Sequence, residues 1–158
     1  MSTHTLKRSQ KRRQPVQLFD GASRLRPIPA QESQRLLIGY YWQLDELKAG
    51  RGDAAMMGAM AGVVVATCLL VNAGWGAAQP DGMDEVQARL VECNVCAART
   101  GRWSIDSETY ALLCEVLQLH GDQLETAPLH EVIKVSRHLE RMRTSAAPGS
   151  GQRMLAAA

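Results

Sequence analysis

Apolar residues recur at three- and four-residue steps through most of the chain, and the gaps between these runs are filled by Gly, Pro, Asp and Asn. That combination predicts helices with defined ends. Leu36, Leu37, Tyr40, Leu44 and Leu47 form one stripe, so a first helix is expected over 31–49, stopped by Gly50 as the left-handed residue after the cap. Asp53 supplies an N-cap for a second helix over 54–73. Asn72, Gly74 and Gly76 close it, and Pro80-Asp81-Gly82 marks a turn. A third helix is expected over 84–98. It places Val86, Leu90, Ala97 and either Val91 or Cys93 on its inner face, sets Asp84 and Glu85 in the first turn where the helix dipole favours acids, and ends at Gly101. Asp106 caps a fourth helix, with Ile105 and Tyr110 placed as a hydrophobic staple. Leu112, Leu113, Val116, Leu117, Leu119 and Leu124 carry it to about residue 125. Thr126 and Pro128 open a fifth helix, lined inwards by Leu129, Val132, Ile133, Ser136, Leu139 and Met142. No alternating strand pattern persists. The expected architecture is an all-α bundle of four or five helices over 31–143, between a leader, 1–30, and a tail, 144–158, that are both expected to be disordered.

The second helix organises this arrangement. Its stretch, AAMMGAMAGVVVATCLLVNA, holds no charge and no polar face. A helix of that length runs roughly 30 Å, which suits either the centre of a small bundle or a membrane span. For the span speak its hydropathy, the Gly58-x-x-x-Gly62 spacing extended by Ala66, and the cations Lys48, Arg51 and the leader on one side. Against it, Ala, Gly and Met supply much of the stretch, and Trp75 alone makes a poor aromatic belt. The neighbouring amphipathic helices also need an apolar partner, and this helix is the obvious one. The bundle core is therefore the leading expectation and the membrane anchor its alternative.

Composition supports helices over sheets: 46% of the 158 residues are hydrophobic but only 4% are aromatic, so the core must be aliphatic. Charge changes the picture more. The first 29 residues hold seven cations against the single acid Asp20, a net +6 in a chain whose total is +2, which leaves −4 for the remainder. No apolar segment follows this basic start closely enough for a secretory signal. The four cysteines, Cys68, Cys93, Cys96 and Cys114, all fall within apolar helical patterns and are expected as buried free thiols in a reducing cytoplasm.

Three patterns carry candidate chemistry. Cys93-Asn-Val-Cys96 is a C-x-x-C followed by His120, His130 and His138, but a zinc site needs four convergent ligands and no second pair has metal spacing. No metal site and no cofactor are therefore expected, and without a preceding strand the pair does not read as a thioredoxin-like motif. Val135-Ser136-Arg137-His138-Leu139 is similar to the recognition helix of helix-turn-helix repressors. The segment before it lacks the glycine turn and short first helix of that motif. The plainer reading is an amphipathic helix whose outer face is basic at Lys134, Arg137, Arg141 and Arg143. The leader cations Lys7, Arg8, Lys11, Arg12 and Arg13 are candidates for phosphate contacts, since clustered Lys and Arg attract nucleic acid by counterion release. An anionic membrane surface is the other partner such a cluster suits.

Ala98-Arg99-Thr100-Gly101-Arg102-Trp103, then Asp106, then Leu119-His120-Gly121-Asp122-Gln123-Leu124, resembles a group of small, mostly uncharacterised proteobacterial proteins from chromosomes, phages and plasmids. Some of these are labelled Fis-family transcriptional regulators. The layout is also similar: a basic leader, a helix ending near a glycine, and a second helix ending here in Asn72-Ala73-Gly74. The resemblance implies a soluble helical protein and no catalytic residue, although this chain departs from the group in having an uncharged second helix. The function expected is a non-enzymatic accessory or regulatory protein. It would be cytoplasmic, binding nucleic acid non-specifically or a nucleic-acid-associated protein through Lys7, Arg8, Lys11, Arg12, Arg13, Lys134 and Arg137. The alternatives are an inner-membrane protein anchored by 54–73, or a helical structural or interaction module, able to pair as a homo-oligomer, with no nucleic-acid role.

Overall fold

The computed structural model describes residues 21–76 and 82–145. They form five α-helices preceded by a 3-10 turn at Gly21–Leu25: α1 Ala30–Lys48, α2 Ala54–Asn72, α3 Met83–Thr100, α4 Ser107–Thr126 and α5 Leu129–Ser145. The fold is all-α, and the only β pairings among the described residues are two isolated bridges, Pro27 with Pro128 and Gly52 with Trp103.

Helix ends follow from local chemistry. Gly50 at φ +72° turns the chain out of α1: its N–H donates to Leu47 O at 3.1 Å, and Arg51 N–H donates to Glu46 O at 2.9 Å. This is a Schellman closure, which satisfies carbonyls the helix would leave bare. The same motif ends α2, with Gly74 donating to Val71 O and Trp75 to Leu70 O, both at 2.9 Å. Trp75 then packs against the small cluster of Ala66, Leu70, Ala127 and Val135. Asp53 caps α2 by accepting from Met56 N–H at 2.8 Å, and Asp106 caps α4 by accepting from Thr109 N–H at 2.7 Å. The loops after α1 and before α4 are locked together at Gly52. A Cβ there would strike the Leu47 side chain and lie 2.8 Å from Trp103 O, so only glycine fits the crossing.

α2 is the hub, touching α1, α3, α4 and α5, while α1 also packs along α4. Its mean hydropathy of 2.2 suffices for a membrane span. Here its apolar surface is covered by protein: an unbroken run from Met60 to Cys68 is buried. Leu44 and Leu47 from α1, Val86 and Leu90 from α3, and Leu113, Val116 and Leu117 from α4 complete the main core.

Several expectations need correction. Residues 21–29, assigned to the leader, hold structure: Leu129 N–H donates to Arg26 O at 2.8 Å beside the Pro27–Pro128 bridge. Leu36 is exposed rather than inward. On α5 the deeply buried residue is Val135, while Leu129, Val132, Ile133, Leu139 and Met142 are half-buried and Ser136 is exposed. The apolar stripe is centred on 132, 135, 139 and 142, which puts 136 at its edge. The cysteines also differ: Cys68 is buried, Cys93 and Cys114 are half-buried and Cys96 is exposed.

Candidate nucleic-acid interface

Pro128 sets the position of α5. Its carbonyl accepts from Glu131 N–H at 2.9 Å to start the helix, and its pairing with Pro27 lays the Gly21–Leu25 turn against α5. His130 Nδ1 lies 3.0 Å from Arg24 O, which fixes that turn further. The consequence is an open groove of about 500 Å³ lined by Arg24, His130, Ile133, Lys134, Arg137 and Arg141. No carboxylate lines it among the described residues. Glu131, nearby on the same helix, lies 3.5 Å from Lys134 Nζ and 3.3 Å from His130 Nε2, so it offsets part of the positive field at that end.

The structure thus brings Lys134 and Arg137 together with Arg141, as the helical spacing required. It adds Arg24, which sequence reasoning counted only as leader charge. Arg143 does not belong to this face. Six residues beyond Arg137, it lies roughly 240° round the helix, where it lines a cavity on the inner side with Tyr40 and Leu139. Lys7, Arg8, Lys11, Arg12 and Arg13 lie outside the described residues. The link between α4 and α5 is Ala127-Pro128, shorter than a helix-turn-helix turn and without its glycine. Val135, first residue of the repressor-like segment, is buried against Ala66, Leu70 and Ala127.

The other candidate chemistry disperses. No group of three or more His, Cys, Asp and Glu side chains converges for a metal among the described residues. Burial is the leading influence on Cys68, Cys93 and Cys114 and raises all three thiols above their ordinary pKa, the opposite of nucleophile activation.

The inner cavity, of about 220 Å³, lies among α1, α2, α4 and α5. His120 on α4 lines it and is 5% exposed. Burial pushes this imidazole down to about 4, with the Gln123 side chain pulling weakly the other way. Tyr40 stands edge-on to it, ring centroids 6.1 Å apart. Gln123 itself is fully buried and pins α4 to the end of α2: its Nε2 donates to Thr67 O and Trp75 O, each at 3.1 Å. Sequence reasoning considered His120 only as a metal ligand, because one histidine in a leucine-rich helix carries no signal of the space it faces.

No family model, curated protein or solved structure matches this chain.

Proposed function

We propose that the chain is a non-enzymatic accessory or regulatory protein that binds nucleic acid through its phosphates, with the groove between α5 and the Gly21–Leu25 turn as the folded part of the interface. The observation that carries this reading is the convergence of Arg24, Lys134, Arg137 and Arg141 around a groove without a lining carboxylate. Phosphate contacts by such cations are independent of sequence and owe their strength to released counterions. The leader cations Lys7, Arg8, Lys11, Arg12 and Arg13 would add to the same field. A cytoplasmic location suits this reading, since α2 is covered by its own bundle. The resemblance to proteins labelled as transcriptional regulators points the same way.

The test is a salt titration of duplex binding by the full chain, by the chain lacking residues 1–14, and by the variant Lys134→Ala/Arg137→Ala/Arg141→Ala. Four engaged phosphates give a slope near −3.6, about a hundredfold loss between roughly 50 and 200 mM salt. The truncated chain should keep part of that slope and the triple variant should lose much of it with its fold intact, since all three side chains are exposed. Absence of binding at low salt by the full chain ends the proposal. Unchanged binding by the triple variant moves the interface to the leader alone.

A second reading has its own observation. Ile38, Tyr41 and Trp42 on α1 are 69%, 36% and 56% exposed and share one helix side at steps of three and four. If no duplex is bound, this apolar face favours a protein-interaction module.

A further inference from the structure

α1 carries most of the large apolar side chains that the bundle leaves in the open. Five large hydrophobics are exposed among the described residues, and four of them, Leu36, Ile38, Tyr41 and Trp42, belong to this helix. Ile38 and Trp42 stand one turn apart on the same side. Leaving both in water forgoes burial that a partner surface would supply. Gly39 lies beside them. A glycine inside a helix weakens it relative to alanine, so its presence calls for a reason. Its φ is not positive, and a Cβ added there would meet nothing within 4 Å. Nothing within the protomer therefore requires glycine at this place. Bare backbone next to an exposed Ile and Trp suits the close approach of a second helix, because the side chains at the contact set the distance between helix axes.

The charges along this face say what that helix is. Arg35 comes three residues before Ile38, and Asp45 three residues after Trp42. Read from either end, the spacing is the same and the sign is reversed. Both groups are available. The acid nearest Arg35, Glu32, is 3.7 Å away and itself exposed. Asp45 accepts from the Tyr110 hydroxyl at 2.8 Å through one oxygen, and no donor among the described residues uses the other. The neighbouring charges are already used within the protomer: Glu46 is held by Arg51 at 2.9 Å, and Lys48 lies over the Tyr110 ring. Two copies of α1 laid parallel would set Arg35 against Arg35 and Asp45 against Asp45. Laid antiparallel, each Arg35 faces Asp45 across the seam and each Ile38 meets Trp42. The face is then its own complement, as a two-fold pair requires.

We propose that the partner of this face is a second copy of the chain, docked α1 against α1 in antiparallel fashion about a two-fold axis beside Gly39, with Ile38 of one protomer packed on the partner's Trp42. This pairing rests on the interaction-module reading of the α1 face and names its occupant. The basic groove on α5 is a separate surface, so duplex binding neither requires the dimer nor excludes it. A seam of one helix a side is small, and a dissociation constant on the order of 10 µM is expected.

The experiment is sedimentation equilibrium of the full chain from about 1 to 200 µM, a range that brackets the expected constant, with reductant present to keep exposed Cys96 from cross-linking. A monomer–dimer equilibrium should appear. Trp42→Ala should weaken it roughly thirtyfold or more, the loss of a buried aromatic anchor, while the melting temperature stays near that of the native chain because the side chain is exposed. Gly39→Gln should raise the melting temperature and weaken pairing together, a combination that a purely structural role would not give. Arg35→Asp should weaken the dimer about tenfold, and Arg35→Asp/Asp45→Arg should restore it. A chain that stays monomeric throughout overturns the proposal, whatever the salt titration of duplex binding shows. So does a full chain that pairs only after residues 1–14 are deleted, since its own leader would then fill the face. Pairing undiminished by Trp42→Ala places the dimer elsewhere, and pairing unchanged by Arg35→Asp excludes the antiparallel register; either result also overturns it.

Discussion

α2 and α5 are both helices of ordinary length in the same bundle, yet they are built on opposite terms. α2 has no charged residue, and eleven of its nineteen residues are buried. α5 has one buried residue, Val135, and carries cations and acids along the rest of its surface. The first helix is held by being surrounded, the second by a single stripe resting on α2 and by a proline bridge to the Gly21–Leu25 turn. Stability is therefore concentrated in the helix with no chemistry to offer. The helix that bears the candidate interface can vary its surface without disturbing the core.

The sharpest way to break this contrast is truncation. Met60 is fully buried in α2, and Met60→Ala should destabilise the fold by about 2–5 kcal/mol. Arg137→Ala on α5 should change stability by no more than about 0.5 kcal/mol. Urea denaturation of both variants checks the pair; equal effects would remove the distinction.

Acid offers a probe of the contact between α2 and α4. His120 has a folded pKa of about 4, below its ordinary 6.5. Between those values the unfolded chain takes up a proton that the folded chain refuses. Its contribution is therefore complete above about pH 6.5 and is lost as pH falls towards 4, an effect on the order of 3 kcal/mol. Stability measured from pH 7 to pH 4 should fall more steeply in the native chain than in His120→Gln, and parallel curves would contradict the assignment. The smallest expected effect lies at the entrance to α4. Asp106→Ala removes the acceptor for Thr109 N–H and should cost about 1 kcal/mol by thermal melting, with the helix otherwise retained.

Helix ends were legible because capping is local. Asp53, Asp106, Gly50, Gly74 and Gly101 each act within a few residues of their own position, and the sequence pattern contains all that is needed to find them. The inner faces of α3 and α4 were legible because they obey one period. α2 was not: a helix apolar on every side has no face to predict, and only its neighbours decide whether it lies in protein or lipid. The interface was half legible. Lys134 and Arg137 share a helix side by spacing, whereas Arg24 joins them through a pairing of Pro27 with Pro128 that spans about a hundred residues. The cavity was illegible, since Gly62 and Ala66 read equally well as close packing or as empty space until the position of α5 is known.

The order of the helices along the chain has a consequence for synthesis. Three of the four elements that cover α2 are translated after it. At about 5–20 residues per second, the roughly seventy residues from the end of α2 to the end of α5 take several seconds or longer to follow. Throughout that interval the nascent chain displays a charge-free helix with the hydropathy of a membrane span. The helix that becomes the core is thus made before most of its cover, and burial of its apolar surface has to wait for α3, α4 and α5.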